Sequence, residues 1–146
     1  MRHRNATNKL SRPSGHRTAL MRNLASSLFL HGSIRTTHAK ARALRPFAER
    51  LITLARRGDQ HAQRLVFSRL GNKEATKKLV KEIAPQHTGR PGGYTRITKV
   101  GTRGASGDAA EMAIIEVLGA QAGEAPKEKP KRRRRTKKSE GGEAEA

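Results

Sequence analysis

Gly92-Gly93-Tyr94-Thr95-Arg96-Ile97-Thr98-Lys99-Val100 is the stretch whose reading decides the fold. From Tyr94 the residues alternate as a strand does, β-branched or aromatic positions interleaved with Arg and Lys. A glycine-rich loop, Gly101 to Gly107, follows. Then comes Met112-Ala113-Ile114-Ile115-Glu116-Val117-Leu118, a second run of strand character. The two runs predict an antiparallel hairpin with a long, basic loop.

Upstream of the hairpin the period changes from two to between three and four. Leu20, Leu24 and Leu28 recur every fourth residue, with Met21 and Ala25 beside them. That stripe predicts a helix capped by Ser14, running to about His31 and stopped by Gly32. Ser33-Ile34-Arg35-Thr36 is a short strand candidate. Thr37 then caps a second helix, with Ala41, Leu44, Ala48, Leu51, Ile52 and Ala55 on its inner face. Pro46 should kink or split it, because proline lacks the amide and crowds the preceding turn. Gly58 ends this helix and Asp59 caps a third, with Leu65, Val66 and, at the margin, Phe67 as its inward candidates. Gly71-Asn72 introduces a fourth, with Leu79, Val80 and Ile83 inward and Pro85 closing it.

The expected fold is α+β in two layers, helices packed on a small mixed sheet, in the order helix, short strand, three helices, two-stranded hairpin. Residues 14–119 are expected to form this domain, and residues 1–13 to be an extended basic arm. Residues 120–146 contain no Leu, Ile, Val or aromatic residue. Such a tail cannot bury enough apolar area to offset its ordering entropy and is expected to be disordered.

Charge narrows the function. The 146 residues hold 32 Lys+Arg against 12 Asp+Glu, a formal +20 with a pI near 11.7. The tail accounts for nine of the basic and five of the acidic residues, leaving 23 and 7, a net +16, in residues 1–119. The basic character therefore belongs to the domain. No acidic residue occurs before Glu49. A solvated helix face mixes signs, so unopposed charge over a third of the chain marks a surface for a polyanion. Membrane insertion is not expected, since no apolar run approaches the ~20 residues of a spanning helix. Met1-Arg2-His3-Arg4 leads into no apolar signal core, so export is not indicated. There is no Cys, hence no disulfide framework and no thiolate metal site. The aromatics are Phe29, Phe47, Phe67 and Tyr94 alone, too few for the stacking tracks of single-strand binders. Recognition of phosphate and shape on folded RNA is favoured instead.

Catalytic chemistry finds no support. The six histidines, His3, His16, His31, His38, His61 and His87, form no cluster with metal-ligand spacing. Gly89-Arg90-Pro91-Gly92-Gly93 lacks the Lys-Ser/Thr ending of a phosphate-binding P-loop and precedes a strand, so it reads as a turn. Glu49, Asp59, Glu74, Glu82, Asp108, Glu111 and Glu116 are unaccompanied by a nucleophile–base pattern, and Asp59 and Glu74 sit where helices start. We read the protein as a non-enzyme with no cofactor, no metal and no small-molecule substrate. Lys131 to Lys138 has the composition of a nuclear-import signal, but a nonspecific polyanion grip is the simpler reading.

Several stretches together carry a family resemblance. They are Met1-Arg2-His3-Arg4, Gly15-His16-Arg17-Thr18-Ala19-Leu20-Met21-Arg22-Asn23-Leu24-Ala25, Ile34-Arg35-Thr36-Thr37, Ala39-Lys40-Ala41, Leu51-Ile52-Thr53-Leu54-Ala55, Gly92-Gly93-Tyr94-Thr95-Arg96-Ile97 and Met112-Ala113. In this order, over roughly residues 1–118, the chain resembles the bacterial large-subunit ribosomal proteins of the L-seventeen family. The resemblance implies a cytoplasmic structural protein of the ribosome. It would bind large-subunit ribosomal RNA and touch neighbouring ribosomal proteins near the peptide exit tunnel. Two departures stand out. Arg42-Ala43-Leu44-Arg45 occupies a place where Lys-Glu-Leu-Arg is expected, so the surface is more basic. The Lys/Arg tail exceeds the family core, and no role carries over to it.

The residues expected to touch RNA follow from both lines. Arg2, His3, Arg4, Lys9 and Arg12 lie on the arm, which can thread between RNA helices and order on binding. His16, Arg17 and Arg22 face away from the leucine stripe of the first helix. Thr36 and Thr37 offer hydroxyls and a helix N-terminus to phosphate, ringed by Arg35, Lys40, Arg42 and Arg45. Arg90, Arg96, Lys99 and Arg103 complete the set around the hairpin. Two other classes compete. A chromatin-type DNA binder shares the charge, but no helix-turn-helix or zipper pattern is present. An RNA-modifying enzyme needs a catalytic constellation, which is missing.

Overall fold

A computed structural model describes residues 8–104 and 108–119. The tail and the start of the arm, with Arg2, His3 and Arg4, lie outside the described residues. Helix α1 (Ser14–His31) leads through Gly32 into strand β1 (Ser33–Thr37), and α2 (His38–Ala55) begins at the next residue. Helix α3 (Gln60–Leu70) and helix α4 (Lys73–Lys78) follow, α4 continuing through a π-helical turn (Leu79–Ile83) into a last turn, Ala84–Gln86. Strands β2 (Thr95–Thr102) and β3 (Glu111–Val117) close the domain.

The three strands lie in the order β1-β3-β2, and both pairings are antiparallel. The domain is thus α+β as expected, with an antiparallel sheet where a mixed one was expected. The reason is that β3 enters between β1 and β2 and runs against each. Ile34, Ile115 and Ile97 stand abreast on one face of it. A bulge between Lys99 and Gly101 shifts the register, pairing resumes at Gly101 opposite Met112, and Val100 is left 46% exposed.

Helices α1 and α2 cover one face of this sheet, and α3 and α4 pack against those two helices. Leu28 and Phe29 of α1, Leu44, Leu51 and Ile52 of α2, Val66 of α3, Leu79 and Ile83 after α4, and Ile115 of β3 meet in one buried cluster with Tyr94. Burying each such side chain stabilises the fold by about 1.5–3 kcal/mol, which is what holds these short elements together. The leucine stripe of α1 buries only toward its C-terminal end: Leu28 is fully buried, Leu24 and Leu20 half-buried.

Five local expectations change. Ser14 is already helical, and Pro13 stands at the cap position, its carbonyl taking the Arg17 amide at 2.9 Å. Thr37 and Asp59 occupy N-cap positions, yet neither side chain makes a capping bond; Asn72 does, its Oδ1 accepting from the Ala75 amide at 3.0 Å. Pro46 neither splits nor ends α2, because it lies on the exposed face where the unpaired Arg42 carbonyl can be hydrated. Phe67 turns outward and is 48% exposed, since Ala62, Val66 and Leu70, spaced by four, already form the inner face of α3.

Pro85 lies inside the last helical turn, two residues beyond the π-helical segment. In a regular α-helix its ring would collide with the carbonyl of Lys81. The wider turn, in which the Ala84 amide reaches Leu79 O, is a local means of relieving that crowding.

Candidate nucleic-acid interface

The described part of the arm, from Asn8, contains a turn. Leu10 and Ser11 both have positive φ, 54° and 50°, and the Arg12 amide returns to Lys9 O at 3.3 Å. This tight turn folds Asn8 back against the helices. Asn8 lines a groove of about 380 Å³ between α1 and α2 together with Arg17, Met21, Pro46, Phe47 and Arg50. Apolar walls with two guanidinium groups at the edge make it a cationic cleft. Arg50 was not among the residues expected to bind. The available signal was its place four residues after Pro46, on the face of α2 opposite Leu51 and Ile52.

The remaining cations fall into two groups. Several are engaged within the fold. The Arg12 Nη1 donates to His16 Nε2 at 2.8 Å, one turn on. Arg22 Nη2 donates to Ser68 O at 3.4 Å and so ties α1 to α3. Arg45 pairs with Glu49 at 3.2 Å, Arg96 with Glu116 at 3.3 Å and Arg103 with Asp108 at 3.7 Å. Such partly exposed pairs hold together weakly, about 0–1 kcal/mol each, so a phosphate can displace the carboxylate. In contrast, Lys9, Arg17, Arg35, Lys40, Arg42, Arg90 and Lys99 form no ion pair among the described residues.

The sheet face turned away from the helices carries part of this charge. Arg35, Ile114 and Thr98 share one row across the three strands, and Ser33, Glu116 and Arg96 the next. Arg35, Thr98 and Arg96 are exposed. Thr36 points the other way, toward the helices, and is 9% exposed. At the start of α2, His38 Nδ1 lies 3.5 Å from Glu111 Oε2, so a carboxylate of the chain itself already stands beside Thr37. The structure therefore separates the expected ring around Thr36 and Thr37 into an outer-face part, Arg35, and an α2 part, Lys40, Arg42 and Arg45.

Arg90 is positioned by an arginine that the sequence reading passed over. Arg56, just past α2, donates to Thr88 O at 2.6 Å, to Arg90 O at 2.7 Å and to the Tyr94 hydroxyl at 2.6 Å. Its guanidinium also lies 5.7 Å from the centre of the Tyr94 ring. The loop Gly89–Gly93 is thus a turn pinned from inside, with Gly93 at φ 65°, and Arg90 stays exposed at its tip. His87 stacks obliquely on Tyr94 at 5.2 Å. Its burial, and then the charges of Arg90 and Arg56, hold the imidazole below the usual histidine value. Tyr94 is 1% exposed, which makes it a core residue.

A second groove joins Arg50 to Arg69, between α2 and the loop at Pro91 and Gly92. Exposed cations therefore run from α1 across α2 to α3. No helix of the described residues is long and apolar enough to cross a membrane.

The comparisons with known proteins show the family. The family model "Ribosomal protein L17" matches residues 20–118. A large ribosomal subunit protein bL17 from Methylacidiphilum infernorum is 55% identical over 116 residues, 80% of this chain and 87% of its own length. Those of Sulfurimonas denitrificans and Campylobacter lari are 53% and 57% identical over 118 residues, 81% of this chain and 100% and 99% of theirs. With most of the chain matched at more than half identity, it belongs to the bacterial ribosomal protein L17 family, structural constituents of the large ribosomal subunit and not enzymes.

Proposed function

We propose that this chain binds large-subunit ribosomal RNA directly and supports translation by holding that RNA in place in the cytoplasmic ribosome. The observation that carries the reading is the set of cations without carboxylate partners among the described residues, centred on half-buried Arg17 and exposed Arg50 at the α1–α2 groove. Lys9, Arg42, Arg35, Arg90 and Lys99 extend it along the arm, α2, the outer sheet face and the hairpin. Arg45, Arg96 and Arg103 join it by exchanging a carboxylate for phosphate, and Arg12, His16 and Arg22 by the polar atoms their internal bonds leave open. Arg2, His3 and Arg4 would continue the contact along the arm. Thr37 and Lys40 would meet the backbone near the start of α2, with Thr36 supporting from within. The neighbours would be other large-subunit proteins near the peptide exit tunnel.

Binding of the full chain to large-subunit RNA, titrated over a range of salt, tests this. Affinity should fall with a log–log slope of roughly −0.7 to −0.9 per phosphate contact. The double variant Arg17→Glu, Arg50→Glu should weaken binding at least ten-fold without a change in the far-UV spectrum. Unchanged affinity, or equal capture by duplex DNA competitor, would sink the proposal and promote a chromatin-type reading.

A further inference from the structure

A site on the opposite pair of helices is left unexplained by this surface. Between α3 and α4 runs a groove of about 710 Å³, with Phe67 and Val80 as its apolar floor. Its rim is cationic: Arg64, Lys73, Lys77 and Lys81 line it, and no carboxylate does. Phe67 is 48% exposed, whereas Phe29 and Tyr94 are buried and Phe47 is half-buried. Leaving a phenylalanine ring in water forgoes the burial that the other aromatics gain. Lys73, Lys77 and Lys81 form no ion pair among the described residues. Lys78, one residue from Lys77, is the one that reaches inward, its Nζ donating to Leu30 O at 2.8 Å.

We propose that this groove takes one unstacked nucleotide of the ribosomal RNA, its base lying on the Phe67 ring and the flanking phosphates on Lys73, Lys77 and Lys81. The inference rests on the RNA-binding reading above and adds to it a single-strand contact on a different face. Charge complementarity selects the occupant. Four cations with no opposing carboxylate repel a basic protein segment and attract a polyanion. The flat exposed ring selects a base, because every base offers a π-face to an aromatic side chain. Gln60 and Gln63 also line the groove, and an amide can donate to and accept from a base edge. Lys73 and Lys77 stand one helical turn apart, about 6 Å along the axis, so they can meet successive phosphates. One ring makes a site for one base, which is compatible with a chain too poor in aromatics for a stacking track.

Two measurements on the full chain test it. In the first, large-subunit RNA is titrated with wild type, Phe67→Leu, and Lys73→Gln with Lys77→Gln. Phe67→Leu should bind about ten-fold more weakly, with an unchanged far-UV spectrum because the ring is exposed. The lysine pair should reduce the salt slope by roughly 1.4, at 0.7 per single-strand phosphate. Wild-type binding with no loss in Phe67→Leu overturns the nucleotide site alone. Failure of wild type to bind overturns the RNA-binding reading and this one with it. In the second, Phe67→p-benzoylphenylalanine is carried into large subunits and irradiated. An RNase-sensitive adduct with ribosomal RNA is expected. An adduct with a ribosomal protein, or none, overturns the proposal.

Discussion

Replacing Arg56 by Met should cost the fold about 2 kcal/mol, and the figure follows from what this side chain holds. Three hydrogen bonds are lost, to Thr88 O, Arg90 O and the Tyr94 hydroxyl, at 2.6, 2.7 and 2.6 Å. At about 1 kcal/mol net for each, they contribute roughly 3 kcal/mol. Against this, Arg56 Nε is buried without a partner, and removing it returns about 1 kcal/mol. Met retains the aliphatic stem, so little packing is lost. At roughly 4 °C per kcal/mol for a domain of about 100 residues, Tm should fall by about 8 °C. Circular dichroism melts of the free protein measure this, with a urea series to check that the m-value is unchanged. Arg56→Lys is the sharper test. It keeps the charge and the stem but replaces a planar fork with a point ammonium that cannot span two carbonyls and a hydroxyl in one plane. It should recover less than half of the loss. If Arg56→Lys melts with wild type, fork geometry is irrelevant and the reasoning fails. Full stability in Arg56→Met would refute it outright.

Three further outcomes are expected. His87 is held below the unfolded histidine value of about 6.5 by burial, then by Arg90 and Arg56. Between those two values the unfolded chain binds the extra proton, so stability is whole above pH 6.5 and declines as pH falls through the window. His87→Gln should flatten that part of a stability–pH curve, and an unaltered slope would count against it. Asn72→Ala removes the one side-chain cap bond in α3 and α4, and should cost about 1 kcal/mol in urea unfolding; Asn72→Ser should restore most of it. Finally, salt should act with opposite signs on folding and on binding. It screens the self-repulsion of a +20 chain and should raise the Tm of the free protein, while weakening RNA affinity. A Tm that falls with added salt would show that ion pairs outweigh the repulsion.

Local signals were legible and long-range ones were not. Gly32 and Gly71 stop their helices with φ 77° and 72°, where a side chain would be strained, and both stops were readable from residue type alone. The hairpin was readable from its period. The place of β1 was not, because Ile34 meets Ile115 across most of the chain and no local pattern encodes that pairing. Phe67 shows the limit of composition. A phenylalanine beside Val66 reads as core until the spacing of Ala62, Val66 and Leu70 is seen to fill the inner face. The turn at Leu10 and Ser11 was hidden for a different reason: neither residue type favours positive φ.

The candidate site was only partly legible for one physical reason. Charge in a sequence does not say whether a cation faces RNA or the protein's own carbonyls. Arg56 and Lys78 hold backbone oxygens of a loop and of the end of α1, and Arg22 reaches across to α3. These residues look in sequence like Arg17 or Lys73, which do no such work. What distinguishes them is the presence nearby of carbonyls that no secondary structure satisfies. A cation that reaches such a carbonyl gains a charge-assisted hydrogen bond, which a lone surface charge does not. The fold therefore takes first claim on any cation within reach of such a group, and only the remainder is available to a polyanion. By this rule the strongest candidates are cations on regular helix faces, far from loops and helix C-termini. Arg42 and Arg50 meet it on α2.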